Sequence, residues 1–137
     1  MELRVTKLFS FEMAHALTGY DGRCRNIHGY SYKLAVTVGG EAAAAPSPQG
    51  MVMDFSSLKA IVSEHIVEPF DHALVLSQQS CFPHDLPTKT IVLPFEPTTE
   101  YLLQHFASLL TPHLPAGVAL RSIRLHETES SYAELIF

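Results

Sequence analysis

Charged side chains are scarce in this 137-residue sequence, and tryptophan is absent. Charged residues make up 17% of the chain, well below the roughly 25% that is typical of soluble domains. A small domain with so little charge is expected to hide part of its surface in an oligomer. The net charge is −5, and the lysines and arginines form no cluster, which argues against nucleic acid as a partner.

Cysteines and long apolar runs are also scarce. The two cysteines, Cys24 and Cys81, fit a reducing compartment better than a disulfide scaffold. No apolar run approaches the length of a membrane span, and the first residues lack the basic-then-apolar order of a leader. We therefore expect a single domain, residues 1–137, that is cytoplasmic and makes no contact with a membrane.

The apolar pattern predicts four strands and two helices. Alternation over residues 3–15 places Phe9, Phe11 and Met13 on one face of a first strand, and the same row ends at His15. The other predicted elements are strands at residues 31–38, 119–126 and 132–137, one helix from Asp54 or Ser56 to Pro69, and one from Thr98 or Thr99 to Pro112. The order ββααββ indicates an α+β domain with an antiparallel four-stranded sheet and both helices on one face.

Residues 24–32, with the sequence CRNIHGYSY, place a thiol, an imidazole and two phenols at the start of the second predicted strand. Cys24 lies between two arginines, which favours its thiolate form. If the chain is extended from His28 onward, His28 and Tyr30 share one face of the strand. One interpretation is a metal beside a reactive thiol. The other is a strand with a partly buried histidine.

Two further positions carry candidate chemistry. Asp71 and His72 place a carboxylate next to an imidazole, but adjacent residues need not face each other, so the sequence leaves a catalytic pair open. Glu127 shares an apolar row with Ile123 and Leu125, so its carboxylate needs a compensating donor. A bound heterocycle with N–H groups and an internal arginine both remain open as that donor.

Taken in order, six segments resemble the signature blocks of the 6-pyruvoyl- and 6-carboxy-tetrahydropterin synthase family: FEMAH, CRNIHGYSY, GMVMDF, FDHALVL, EPTTEYL and HETESSYAEL. The resemblance runs from Phe9 to about Tyr132. It implies the tunnelling fold, whose subunits close into trimeric β-barrels that commonly stack as hexamers, with active sites between subunits. It also implies a lyase that acts on 7,8-dihydroneopterin triphosphate. The 6-carboxy product, on the route to 7-deazaguanine (queuosine-type) nucleosides, is favoured over the 6-pyruvoyl product.

The resemblance assigns roles to individual residues. The implied zinc ligands are His15 and His28, the catalytic residues are Cys24, Asp71 and His72, and the residues that bind the pterin are Glu127, Thr98 and Thr99. In this scheme Zn²⁺ polarises the hydroxyls of the substrate side chain, Cys24 moves protons on that side chain, and His72 held by Asp71 is the partner acid or base. The cations nearest to this stretch, which we expect to hold the triphosphate, are Arg23, Arg25 and Lys33.

The sequence departs from the family pattern at Tyr30, where the family has its third zinc-binding histidine. Three outcomes remain open. Tyr30 binds the metal as a phenolate, another group takes its place, or zinc is held weakly by His15 and His28 with water or is absent. His126 is a poor substitute because it lies on the opposite face of its strand from Glu127. A non-catalytic pterin-binding protein, in which Tyr30 stacks on the ligand or hydrogen-bonds to it, is the alternative to a lyase.

Overall fold

The computed structural model describes residues 2–18, 26–40 and 50–137. Cys24, the predicted catalytic thiol, and the predicted phosphate ligands Arg23 and Arg25 lie outside the described residues. The strands are β1 (Leu3–His15), β2 (His28–Gly40), β3 (Ala73–Ser77), β4 (Thr90–Leu93), β5 (Ala119–Thr128) and β6 (Ser131–Ile136). They form a six-stranded sheet in the order β4-β3-β1-β2-β5-β6.

The prediction of a four-stranded antiparallel sheet is incomplete, because β3 and β4 extend the sheet in parallel orientation beside β1. Every residue of β3 is buried. A strand covered on both faces shows a continuous apolar run in place of alternation, and β4 is only four residues long. Neither strand therefore has the period-2 signal that identified β1, β2, β5 and β6.

The first helical segment begins where the sequence predicted and ends later. The side chain of Asp54 caps α1 (Phe55–Val62) by accepting a 2.7 Å hydrogen bond from the amide of Ser56. The helix then continues through a π-helical turn, Ser63–Val67, into the short α2 (Glu68–Phe70). Pro69 was expected to stop the helix. The wider turn, in which the amide of residue 68 bonds to the carbonyl of residue 63, accommodates a residue that has no N–H to donate.

The second long helix, α3 (Thr99–Leu110), confirms the predicted cap. The hydroxyl of Thr98 accepts a 3.2 Å hydrogen bond from the amide of Tyr101. Pro112 follows in a single 3₁₀ turn, Thr111–His113. The N-terminus of α3 thereby lies next to the ends of the central strands, where the candidate site is found.

The hydrophobic core lies between the helices and one face of the sheet. Phe11, Met13 and Tyr32 from the sheet and Phe106 from α3 belong to it. The opposite sheet face is open, with Leu8 74% exposed. No helix in the described part of the chain is long and apolar enough to span a membrane. The apolar row of β1 faces the core and therefore carries His15 into a buried position.

Candidate active site

A cavity of about 510 Å³ lies where the end of β1, the start of β2, the N-terminus of α3 and the end of β5 meet. Its lining includes five residues that the sequence analysis singled out, namely His15, His28, Tyr30, Thr98 and Glu127. These positions are up to 112 residues apart in the chain (127 − 15). The antiparallel pairing of β1 with β2, and of β2 with β5, brings them together.

His15 is the buried anchor of this cavity, with 5% of its surface exposed. Its Nδ1 lies 2.7 Å from the carbonyl oxygen of Pro97. A carbonyl can only accept, so Nδ1 carries the hydrogen and donates it. This bond fixes the orientation of the ring and directs Nε2 towards Glu127, whose Oε1 is 3.2 Å away. Nε2 is therefore the one ring nitrogen that remains for a ligand or a carboxylate.

The Glu127 carboxylate faces an imidazole and a phenol. The hydroxyl of Tyr32 makes a long 3.5 Å hydrogen bond to the same Oε1 that faces His15. No arginine of the described residues contacts this carboxylate. The side chain of Glu127 is 28% exposed, so the carboxylate retains acceptor capacity towards the cavity. A ligand with N–H groups has a place to bind here.

Tyr32 is completely buried. Burial is the main reason why the pKa of its phenol is raised far above the ordinary value, and the negative charge of Glu127 raises it further. Tyr32 is therefore a neutral hydrogen-bond donor to Glu127 throughout the physiological pH range.

Tyr30 lies beside the two candidate metal ligands. In the pairing of β1 with β2, His15 is directly opposite His28, so their side chains project from the same face. The ring of Tyr30 is nearly parallel to that of His28 at 6.3 Å and edge-on to that of His15 at 5.9 Å. Tyr30 is thus placed beside both imidazoles, as expected from the strand periodicity.

The donor set does not fit a zinc site with three imidazoles. Two histidines and one phenol face each other, and tyrosine is an uncommon zinc ligand. Among the residues that the structure describes, no group of three or more His, Cys, Asp or Glu side chains is arranged to hold a metal ion. His15 Nε2 already has a carboxylate partner. We therefore derive no catalytic step through a metal.

The Asp71–His72 pair lies elsewhere, on the turn between α2 and β3. Asp71 Oδ1 is 3.0 Å from His72 Nδ1, so the two neighbours do interact. Asp71 also accepts a 2.9 Å hydrogen bond from the amide of Glu12. That bond is the largest cause of the lowered pKa of Asp71, followed by its pairing with His72.

His72 faces a second cavity, of about 370 Å³, that is also lined by Glu12, Ser31 and Tyr30. Its side chain is 76% exposed. Tyr30 is common to both cavities. Within one chain the predicted residues are therefore divided between two cavities, both of which Tyr30 lines.

The remaining sequence predictions are distributed as follows. Thr98 caps α3 and lines the first cavity, whereas Thr99 lines a small adjoining cavity of about 160 Å³ together with Glu127. Cys81 is exposed in the loop after β3 and takes part in a disulfide. The expectation that both cysteines are reduced is therefore wrong.

Three contributors to these sites were missed in the sequence. The Pro97 carbonyl orients His15, and a backbone acceptor leaves no signal in residue types. Glu96 lines the first cavity and accepts a 3.2 Å hydrogen bond from the amide of Thr18; its place in the EPTTEYL block was the available signal. Glu12 holds Asp71 through its backbone, a contact that depends on the parallel β1–β3 pairing.

Comparison with known proteins is consistent with this architecture. The family model for 6-pyruvoyl tetrahydropterin synthase matches residues 4–136. The chain therefore belongs to the 6-pyruvoyl tetrahydropterin synthase family, which confirms the resemblance seen in its sequence.

Individual relatives refine this assignment. The chain is 38% identical to a 6-carboxy-5,6,7,8-tetrahydropterin synthase from Haemophilus influenzae, with 96% of each chain covered. It is 26% identical to the protein of the same name from Rickettsia felis, over 97% of this chain and 99% of the relative. Among solved structures, the 6-pyruvoyl tetrahydropterin synthase of Plasmodium vivax matches with a TM-score of 0.77 at 19% identity, covering 98% of this chain and 97% of its own. That likeness shows the shared fold.

The environment of Tyr32 predicts an alkaline titration. The folded protein keeps this phenol neutral. As the pH is raised to about 11, ordinary tyrosines ionise and the tyrosinate absorbance of the native protein increases. Tyr32→Phe should leave that increase unchanged. In denaturant the same substitution should remove one fifth of the amplitude, since the sequence has five tyrosines. The unfolded state releases the Tyr32 proton near pH 10 and the folded state does not, so this residue's contribution to stability should fall as the pH rises above about 10. A smaller native amplitude in the variant would contradict the assignment.

Proposed function

We propose that the protein is a lyase of the 6-carboxy-tetrahydropterin synthase type that acts on 7,8-dihydroneopterin triphosphate. The observation that carries the proposal is the single cavity in which His15, Thr98 and Glu127 meet, in a chain of this family. The 38% identical relative is named for the 6-carboxy product, which favours that product over the 6-pyruvoyl one. The reaction then stands on the route to 7-deazaguanine (queuosine-type) nucleosides.

The cavity has the chemistry to hold a pterin ring. The exposed part of the Glu127 carboxylate accepts hydrogen bonds from the N–H groups of the heterocycle, and these charge-assisted bonds are among the stronger ones in proteins. Tyr30 and Tyr101 supply aromatic walls against which a flat ring packs. Thr98 and Thr99 flank the carboxylate at the start of α3. Glu127 and the two threonines thus select the ring.

Proton transfer is assigned to Cys24 and to His72, which Asp71 orients through the 3.0 Å contact. Because His72 faces a different cavity from Glu127, we propose that complete sites form between subunits. Exposed apolar side chains support this proposal. Leu8, on the open sheet face, is 74% exposed, and Ile136, on the edge strand β6, is 68% exposed. Apolar exposure beside an unpaired strand edge favours association. A homo-oligomer, trimeric or hexameric and closed as a β-barrel, would cover these surfaces.

A non-catalytic pterin-binding protein is the second candidate, and Tyr30 is the observation that favours it. The resemblance implies that this phenol takes the place of a zinc-binding histidine. Among the described residues the cavity then has a carboxylate to hold a pterin, but it lacks three imidazoles for a metal. The two candidates make opposite predictions for turnover.

The deciding experiment is product analysis by mass spectrometry after incubation with 7,8-dihydroneopterin triphosphate. A reductant is included, because catalysis needs Cys24 as a thiolate and Cys81 is disulfide-bonded. We expect triphosphate, a 6-carboxy-tetrahydropterin and the two remaining side-chain carbons released as a two-carbon aldehyde, with one water consumed. Cys24→Ser should lower kcat by about 10²- to 10⁴-fold, the usual contribution of a proton-transfer group. The matched control Cys81→Ser should retain turnover under the same conditions. Tight pterin binding without turnover by the wild-type protein would overturn the lyase proposal in favour of the second candidate.

Zinc content provides a separate prediction for Tyr30. Tyr30→His places a third imidazole beside His15 and His28, so the purified variant should contain more zinc per chain than the wild-type protein when measured by elemental analysis. Phe55→His, at an exposed position on α1, is the control for non-specific binding by an added histidine. Equal zinc contents in Tyr30→His and the wild-type protein would show that residue 30 does not occupy a ligand position.

A further inference from the structure

We propose that Lys89 is a positioning residue that holds the Asp71–His72 pair in its catalytic geometry. It does so by donating hydrogen bonds to backbone carbonyls of the turn that carries the pair. This inference rests on the proposed function, in which that pair transfers protons. Lys89 lies just before β4, in a segment whose sequence, rich in proline and polar residues, gives no hint of a role.

The turn that carries the pair is conformationally unfavourable on its own. The backbone φ of His72 is 60°, in the left-handed region that residues with a side chain rarely adopt. It is the only residue other than glycine with a positive φ in the described part of the chain. Such a conformation persists only where neighbouring groups enforce it.

The peptide group between Asp71 and His72 is held at both of its ends. Its N–H, on His72, donates to the carbonyl of Glu12. Its C=O, on Asp71, accepts a 2.8 Å hydrogen bond from the ammonium of Lys89. Rotation about the N–Cα bond of His72 is measured against this peptide plane. Fixing the plane at two points therefore restricts the directions in which the imidazole can leave the chain.

Lys89 also connects both sides of the turn. Its ammonium donates a 2.6 Å hydrogen bond to the carbonyl of Glu68. Glu68 is the first residue of α2 and lies in the last turn of the continuous helical segment 55–70, where helix carbonyls lack partners within the helix. Its backbone carbonyl accepts a 2.8 Å hydrogen bond from the amide of Leu74, in β3. The residue thus binds the chain before, within and after the Asp71–His72 turn.

The contacts of Lys89 go to backbone carbonyls and its side chain is exposed. Its charge contributes to the lowered pKa of the Asp71 carboxyl, and Lys89 does not line the Glu127 cavity. Its loss should therefore leave pterin binding in place and disturb only the Asp71–His72 pair. That combination separates a positioning role from a general loss of folding.

The test compares Lys89→Met, which removes the ammonium at similar length, with Lys89→Arg, which retains a cation. Lys59→Met, an exposed lysine on α1, is the matched control. With 7,8-dihydroneopterin triphosphate as substrate, Lys89→Met should lower kcat by roughly ten- to a hundred-fold, the cost of a displaced catalytic group. KM should remain within about two-fold, since a separate cavity binds the ring. Lys89→Arg should recover most of the loss, and Lys59→Met should match the wild type.

A second readout does not depend on activity. The 3.0 Å contact with Asp71 favours the tautomer of His72 that carries its hydrogen on Nδ1, and ¹⁵N NMR of the imidazole reports this form directly. Lys89→Met should shift His72 towards a mixture of tautomers, and Lys89→Arg should not. Absence of turnover in the wild-type protein would defeat the proposed function, and the tautomer comparison would then decide the role of Lys89. An unchanged tautomer in folded Lys89→Met would overturn the positioning role.

Discussion

The hydrogen bond from Nδ1 of His15 to the carbonyl of Pro97 is the constraint on which the candidate site depends. It joins the end of β1 to the segment that starts α3, and at 2.7 Å between a buried ring and a backbone acceptor it leaves the imidazole one orientation. Nε2 then faces Glu127 from β5, and the hydroxyl of Tyr32 from β2 completes the group. A buried carboxylate or imidazole without such partners would be costly. The same contacts that satisfy these groups shape the cavity.

Tyr30 determines what that cavity is able to do. A histidine at this position would add a third imidazole to two that the β1–β2 register already places on one face. A phenol instead packs against both rings. The family relationship and the proposed departure at residue 30 thus lead to one question, which is whether the chain turns a pterin over or only binds it. We propose that Glu127 holds the ring and that turnover relies on Cys24, Asp71 and His72.

Much of the fold and site was accessible from sequence. Strict alternation identified β1 to its observed ends, and the Thr98 cap and the Asp54 cap were identified from residue types. Four of the six family blocks contain the predicted residues that the first cavity brings together. Alternation fails for β3, which is buried on both faces, and for the four residues of β4, so the parallel edge of the sheet was missed. The contacts of Glu12 and Lys89 at the Asp71–His72 turn were missed together with this parallel edge. These are bonds to and from the backbone, which residue types do not reveal.

Pterin affinity at Glu127 is the most direct measure of the central claim, that the His15–Glu127 cavity binds the heterocycle. The sequence contains no tryptophan, so the fluorescence of neopterin can be titrated without an indole background. The account predicts saturable binding to the wild-type protein and to the control Glu129→Gln, which changes an exposed residue outside this cavity. Glu127→Gln should bind roughly ten- to a hundred-fold more weakly, because a charge-assisted hydrogen bond contributes about 1.5–3 kcal/mol. Equal affinities of Glu127→Gln and the wild-type protein would contradict the account.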